Sequence, residues 1–528
     1  FAIDPEAIER VEIIRGPSAA LYGGNAMFAV VNVVTREAPM ALGAELRAEA
    51  GSFGRWRGQG TFGHLFEDGT ELFVSGSTLM SDGHALLFYR PYASPKTGNG
   101  FARDVDGETA YNVFVSLRHG GFFFQGAANR RTKDVPTGSF GAGFGNPDNR
   151  SLDSRRFAEL SYTGTPRPDL EWTGRLYYDS YYYDQTYGYD TAGLLTKNRD
   201  VVDSHWLGGE LRGRFTLTPT NSITGGAEFT YHPNAVQRNF DLGGSTYLDD
   251  RRRFDTWAAY LQDEWQLASN LHLSVGVRFD RVYDRLSEVS PRLGLVWQPF
   301  RTTSLKFLVG RAFRAPSLAD QYYAVQGSSL TNPRLRAEHM LSYELVWEQQ
   351  LARFLSGAAS LYRYEVDGVT ASVTAARTAD GSPIVQTRNV RSLEGLGAEL
   401  EMRWALPHDA ELRTSYALQR VDDGGRKLSN SPQHLGSLQL FVPLPHGATA
   451  GGEFLLVGPR RTDGGRALES VRLLNLTLRS PVFMGARVSA SGYNLRDQEH
   501  PDPVGSGFRQ DRIQQDGRSW RLQVEYTF

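Results

Sequence analysis

The densest group of side chains with chemical potential is a run of tyrosines. Tyr177, Tyr178, Tyr181, Tyr182, Tyr183, Tyr187 and Tyr189 fall within 13 positions. A phenol offers a π face and an O–H donor. Such a run suits either a stacking surface for an aromatic ligand, a catecholate chelate for example, or an aromatic girdle at a membrane interface. Tyr177 and Tyr178 fit the girdle better, while Tyr181, Tyr182, Tyr183, Tyr187 and Tyr189 are candidate ligand contacts. Tyr322 and Tyr323 form a smaller pair open to the same two readings. Asp249-Asp250-Arg251-Arg252-Arg253 is a charge run. A solvated face or a contact to lipopolysaccharide phosphates explains it, and so does a funnel for an anionic ligand built from Arg251, Arg252 and Arg253.

Catalytic chemistry finds little support. The chain has no cysteine, which removes thiolate nucleophiles, thiolate metal sites and disulfides. Gly141-x-Gly143-x-x-Asn146 fails the dinucleotide pattern and does not join a strand to a helix. The 11 histidines show no ligand spacing that survives strand assignment, and no Gly-x-Ser-x-Gly elbow occurs. The expectation is a protein that is not an enzyme and carries no resident cofactor or metal. A net charge of -2 argues against nucleic acid as a partner.

The elements that would position these residues are strands. Aromatic residues make up 12% of the chain, yet mean hydropathy is -0.40 and no apolar run is long enough for a membrane helix. That combination fits a barrel with lipid outside and water inside. Trp520, Leu522, Val524, Tyr526 and Phe528 alternate with Arg521, Gln523, Glu525 and Thr527, and Leu271–Phe279 alternates in the same way. A period of two separates the sets onto opposite faces. Short turns such as Ala268-Ser269-Asn270, Phe300-Arg301-Thr302, His408-Asp409 and His446-Gly447 take turns with longer loops at 81–108, 132–154, 181–200, 233–253, 367–394 and 497–517. One rim of short turns and one of long loops is the plan of an outer-membrane barrel, with the short rim periplasmic. The pattern predicts 22 strands, from 41–51 to 518–528, including 168–180, 201–216, 220–232 and 257–267. An even number returns both ends to one rim, so the sheet can close without an edge.

Residues 8–36 contain Ile8-Glu9-Arg10-Val11-Glu12-Ile13-Ile14-Arg15-Gly16-Pro17, then Ala20-Leu21-Tyr22-Gly23, then Ala29-Val30-Val31-Asn32-Val33-Val34-Thr35. This resembles the closing segment of the plug domain of TonB-dependent receptors, with Ala29 where glycine is usual. Phe313-Arg314-Ala315-Pro316-Ser317-Leu318 followed by Asn332-Pro333-Arg334-Leu335-Arg336-Ala337-Glu338 resembles a barrel signature of the same family. Tyr493-Asn494-Leu495-Arg496-Asp497, Gln515-Asp516-Gly517-Arg518-Ser519 and the terminal Phe528 are similar to its final hairpin.

The resemblance implies an all-β protein: a transmembrane 22-stranded antiparallel barrel over 41–528 around a partial plug domain over 1–40. It implies an outer-membrane location in a Gram-negative bacterium and active uptake of a scarce ligand. TonB and its inner-membrane energising complex would be partners, with outer-membrane lipid and lipopolysaccharide around an expected monomer. The ligand would be a small molecule, with a ferric siderophore, a metal chelate, first and cobalamin or another small nutrient second. Haem falls behind because 317–331 holds no histidine. A passive porin or adhesin barrel would not need residues 8–36, and a soluble all-β binding protein would not show two unequal rims. In the family, plug arginines pair with inward barrel glutamates, which makes Arg15 a candidate plug–barrel contact with Glu338 or Glu399 as partner; a solvated turn is the alternative. The opening residues carry no export signal, so the sequence is expected to be part of a longer chain whose earlier plug residues contact TonB. By itself it is expected to form a leaky channel without energised uptake.

Overall fold

The computed structural model describes residues 3–16, 23–40, 42–191, 194–283, 285–325, 328–379 and 381–528. The Pro17–Tyr22 part of the plug-like segment lies outside the described residues.

Twenty-two antiparallel strands, from Gly43–Gly51 to Ser519–Thr527, form one closed barrel. Closure comes from the first and last of them, which pair from Glu45↔Thr527 to Gly51↔Arg521. Two-residue ladders at Ser329–Leu330 and Arg426–Lys427 add to wall strands beyond the barrel proper. Inside the barrel lies a separate hairpin of two strands, β1 (Ile8–Arg15) and β2 (Ala29–Thr35), paired from Ile8↔Thr35 to Arg15↔Ala29.

The strands form because the alternation separates two solvents. Outward positions carry Leu176, Leu211, Leu361 and Leu396, each at least 59% exposed, while inward positions carry Arg278, Ser290 and Glu344, each at most 8% exposed. A water-soluble protein would show the reverse. Here the apolar set faces lipid, and the polar set pairs with itself and with the hairpin. Tyrosine rings complete the inner wall where glycines leave gaps: a Cβ on Gly208 would lie 2.1 Å from the Tyr177 ring, and one on Gly395 would lie 2.1 Å from the Tyr364 ring.

The turns at 120–121, 168–169, 219–220, 269–270, 301–302 and 353–354 all lie on one rim; the other carries 82–107, 135–149, 315–337, 424–433, 458–470 and 494–518. His408, Asp409 and His446 hold positive φ in turns of the short rim.

Three expected loops are corrected. Segments 181–200, 233–253 and 367–394 are mainly extensions of wall strands. Leu170–Thr191 pairs with Leu194–Thr218 out to Thr191↔Leu194, Asn221–Asp241 pairs with Thr246–Ala268, and Leu355–Arg377 pairs with Pro383–Ala405. A tilted strand needs about 10 residues to cross a bilayer, so these hairpins stand well beyond it. Their apolar signal fades there because water replaces lipid on the outer face, while the ladder continues through tyrosine, valine and threonine.

The face assignment makes a direct prediction. Leu176→Arg should lower the unfolding free energy of the barrel in phospholipid vesicles by about 2–4 kcal/mol, whereas inward Ser274→Arg, opposite Glu264, should change it by less than about 1 kcal/mol. Equal losses in equilibrium denaturation would show that the faces are wrongly assigned.

Candidate functional site

The lumenal segment is held at two opposite walls. At one, Asp4 caps the short helix Pro5–Ala7 through the Glu6 N–H at 2.9 Å. Its carboxylate, only 3% exposed, accepts bonds of 2.5 and 2.7 Å from Arg57 and another from Ser77. Ala7 packs against inward Phe73, Phe114 and Ala127, with Ile3 and Phe157 around them. Glu6 pairs with Arg47, and the Glu37 carboxylate lies 2.6 Å from Arg118. A carboxylate buried this deeply is tolerated only because its oxygens are fully engaged.

At the other wall Arg15 donates to Glu399 at 2.7 Å and to Glu401. Gly23 and Gly24 then run so close to the wall that side chains would not fit. A Cβ on Gly23, whose φ is +79°, would lie 2.9 Å from the Arg278 guanidinium; one on Gly24 would lie 2.9 Å from the Phe313 ring. Arg278 is itself fixed by Glu228 at 2.8 Å and Asp280 at 2.9 Å. The Asn25 N–H donates to the Phe313 carbonyl at 2.9 Å, and Met27 joins a cluster with Ala312, Met340 and Val366.

Glu338 is not brought to Arg15. It faces Arg314 in the strand register and accepts from it at 2.6 and 3.0 Å, and from Thr370. The arginine of the Phe313–Leu318 box thus takes the glutamate that ends the 332–338 box, and the two together clasp the ends of loop 315–337. Glu401, which sequence reading missed, takes the place expected for Glu338. Its signal was available: Glu399 and Glu401 share one face of a strand.

Above the hairpin, on the long-loop side, the extended strands enclose a chamber. Strand parity sends Tyr181, Tyr183, Tyr187 and Tyr189 inward, on the same face as Asp179 and Gln185. Tyr181 donates to Asp153 at 2.9 Å, and buried Tyr187 packs edge-on against Phe140, with centroids 6.0 Å apart. From the loop after Phe313, Tyr323 crosses to donate to Asp200 at 2.9 Å and lies 3.4 Å from the Asn239 amide. Tyr322 stacks under the Arg252 guanidinium, which is also paired with Asp250 at 2.8 Å. Tyr182, Arg251 and Arg253 are not brought to the chamber. Their parity turns them to the outer surface, where Tyr182 lies 3.3 Å from Asp184 and Arg251 lies 3.1 Å from Asp249.

Burial, reinforced by Asp200, pushes the Tyr183 phenol up to about 12 and moves those of Tyr187 and Tyr323 in the same direction. Burial also raises the Asp200 carboxyl, against the pull of the Tyr323 hydrogen bond. At neutral pH these phenols are therefore neutral, not phenolate ligands, with the Tyr323 hydroxyl held by Asp200 and the Tyr187 ring buried against Phe140. Among the described residues no three histidines or carboxylates are placed to hold a metal ion.

A family model described as TonB dependent receptor-like, beta-barrel, matches residues 85–495, and one for the TonB-dependent receptor plug domain matches residues 1–30. This chain belongs to the TonB-dependent receptors. A vitamin B12 transporter of Vibrio vulnificus is 26% identical over 436 residues, covering 80% of this receptor and 64% of that protein. An iron-regulated outer membrane virulence protein of Vibrio cholerae is 22% identical over 561 aligned positions, covering 99% and 80%. The receptor thus spans less than two thirds of the first of these relatives. The ferric-catecholate import receptor Fiu of Escherichia coli K12, in a closed form, superposes with a TM-score of 0.76 at 15% identity, over 99% of this receptor and 86% of that chain. At that identity the likeness concerns the fold.

The two walls should not contribute equally. Arg57→Ala would strand the Asp4 carboxylate in the interior, which costs about 3–5 kcal/mol, whereas Arg15 is half exposed and its loss should cost about 1 kcal/mol or less. The Arg36 N–H, bonded to the Ala7 carbonyl, reports on this segment by amide exchange. Its rate should rise at least a hundredfold in Arg57→Ala and less than tenfold in Arg15→Ala, and the opposite order would contradict the assignment.

Proposed function

We propose that this receptor lies in the outer membrane of a Gram-negative bacterium, long loops outward, and takes up a ferric siderophore by TonB-dependent transport. The observation that carries the reading is a closed barrel whose lumenal hairpin is clamped at two walls beneath a chamber of neutral phenols. A passive pore has no use for such a clamp. An uptake receptor needs it, because the ligand must be captured first and released only when the inner-membrane complex acts on the lumenal domain.

The chamber's charge narrows the ligand class. Asp153 and Asp200 stand among the phenols, while Arg252 is engaged by Asp250 and Arg155 by Asp179 at 2.6 Å. Such a wall favours a chelate of low net charge, laid against the partly exposed rings of Tyr183, Tyr189 and Tyr323, over a strongly anionic catecholate. A cobalamin ligand is the second reading, supported by the named substrate of the Vibrio vulnificus relative.

Binding to the purified receptor, followed by tryptophan fluorescence, separates these readings with three probes: a neutral ferric trihydroxamate, a ferric triscatecholate and cyanocobalamin. The trihydroxamate should bind most tightly. Tyr183→Ala with Tyr323→Ala should weaken it roughly ten- to a hundredfold, through the loss of about 1–3 kcal/mol of ring contacts. Unchanged affinity in that variant would remove the chamber from ligand capture, and tighter binding of cyanocobalamin would favour the second reading.

A further inference from the structure

On the side of the barrel that holds Ala7, the hairpin's contacts settle which face of each strand is the lumen. Phe73, Phe114, Ala127 and Phe157 close on Ala7, so residues of opposite parity point outward. These are Tyr111 and Val113 on Glu108–His119, Ala128 and Arg130 on Phe122–Asp134, and Ser154 and Arg156 on Arg150–Arg167. Tyr111 stands opposite Arg130, Arg130 opposite Ser154, and Arg156 opposite both Ala128 and Ser180. Arg130 and Arg156 are thus diagonal neighbours on one outer face, with backbones roughly 7–8 Å apart.

Both guanidinium groups are exposed, and no carboxylate of the described residues pairs with either. Arg155, between them on the inward face, is by contrast engaged by Asp179 at 2.6 Å. The pair opens on an outward groove of about 740 Å³ that also takes in Ser154, Ser180, Tyr111 and Tyr182. At its far end Asp184 is held by Arg199, and Asp203 lies 3.0 Å from His205. Asp184 is matched by its own arginine, so Arg130 and Arg156 face Asp203 as the one remaining carboxylate of the groove and leave it positive. Toward the short-turn rim the same outer face continues into exposed Leu160, Leu176, Tyr178 and Leu207.

We propose that Arg130 and Arg156 bind the phosphate of a lipid headgroup in the leaflet that surrounds the long-loop half of the barrel. Two planar guanidinium forks on one face can each donate a pair of hydrogen bonds to phosphate oxygens. The groove's lower edge runs without a break into the apolar band, which gives the acyl chains of the same molecule a surface to lie on. A dissolved anion would gain nothing from that strip. Uncompensated cations beside lipid are costly, and a headgroup phosphate supplies the missing charge. The inference rests on the membrane placement proposed above.

Native mass spectrometry of the assembled receptor in detergent tests it with three probes: a phosphorylated glycolipid, the same lipid without its phosphates, and inorganic phosphate. The receptor should retain one phosphorylated lipid. Arg130→Ala with Arg156→Ala should bind it at least tenfold more weakly, and Arg130→Lys with Arg156→Lys should fall between. Arg363→Ala removes an outward arginine already matched by Glu365 and Glu394 at 2.7 and 3.0 Å, and should leave binding unchanged. Heat-modifiable gel mobility confirms that each variant has assembled. Binding by the double alanine variant within twofold of the parent would overturn the proposal, as would equal binding of the dephosphorylated lipid. Retention of inorganic phosphate without lipid would make this a site for soluble anions and overturn the lipid assignment. A chain absent from the membrane fraction of cells would sink the membrane placement, whereas an inserted barrel that binds no phosphorylated lipid sinks this inference alone.

Discussion

A backbone surrounded by lipid has no water to satisfy its N–H and C=O groups, so each must be bonded within the protein. Everything else in this molecule depends on how that demand is met. The pairing of Gly43–Gly51 with Ser519–Thr527 leaves the 22-stranded sheet without an edge, and it joins residues at opposite ends of the chain. Closure then creates an interior large enough to need filling. The wall strands alternate because one face must dissolve in lipid while the other lines that interior. The charges that would be costly outside become the means of holding a second element inside.

How the interior is filled follows the same economy. The inward wall carries Arg57, Arg278 and Glu399, and the lumenal segment answers with Asp4, the bare backbone of Gly23 and Arg15. The anchors differ in kind. Asp4 is buried and fully engaged, so its removal is punished; Arg15 is half exposed and shared between two carboxylates, so its grip is easier to release. Under the uptake function proposed above, such a graded hold suits a segment that is displaced at one wall while it stays fastened at the other. The chamber beyond it is made by strands that outgrow the membrane, which explains why its walls are regular ladders where loops were expected.

The positions of the 22 strands were legible because a period of two survives in every membrane-crossing segment, and the short-turn rim was legible from its turn residues. The chamber strands were not. Past the lipid the outer face turns polar, and the run from Tyr181 to Tyr189 reads as a loop although its ladder is unbroken. With strand parity, Tyr182 would have been separated from Tyr181 and Tyr183 at once. Arg15 with Glu399 was suggested by resemblance, but Glu338 was misplaced, since nothing local says that Arg314 lies directly across the ladder from it. The Asp4–Arg57 contact left no trace at all. It joins two ordinary charged residues 53 positions apart, and only the closed wall brings them together.

The central claim is that residues 3–16 and 23–40 occupy the lumen of a closed barrel and are fastened to its wall. Because the chain has no cysteine, one introduced pair reports on it without interference. Met27→Cys with Met340→Cys joins the lumenal segment to the wall inside the Met27, Ala312, Met340 and Val366 cluster. Oxidation of the folded protein in membranes should convert most molecules to the cross-linked form, seen as a shifted band on a denaturing gel that reverts on reduction. A barrel that keeps its heat-modifiable mobility yet yields no cross-link would contradict the account.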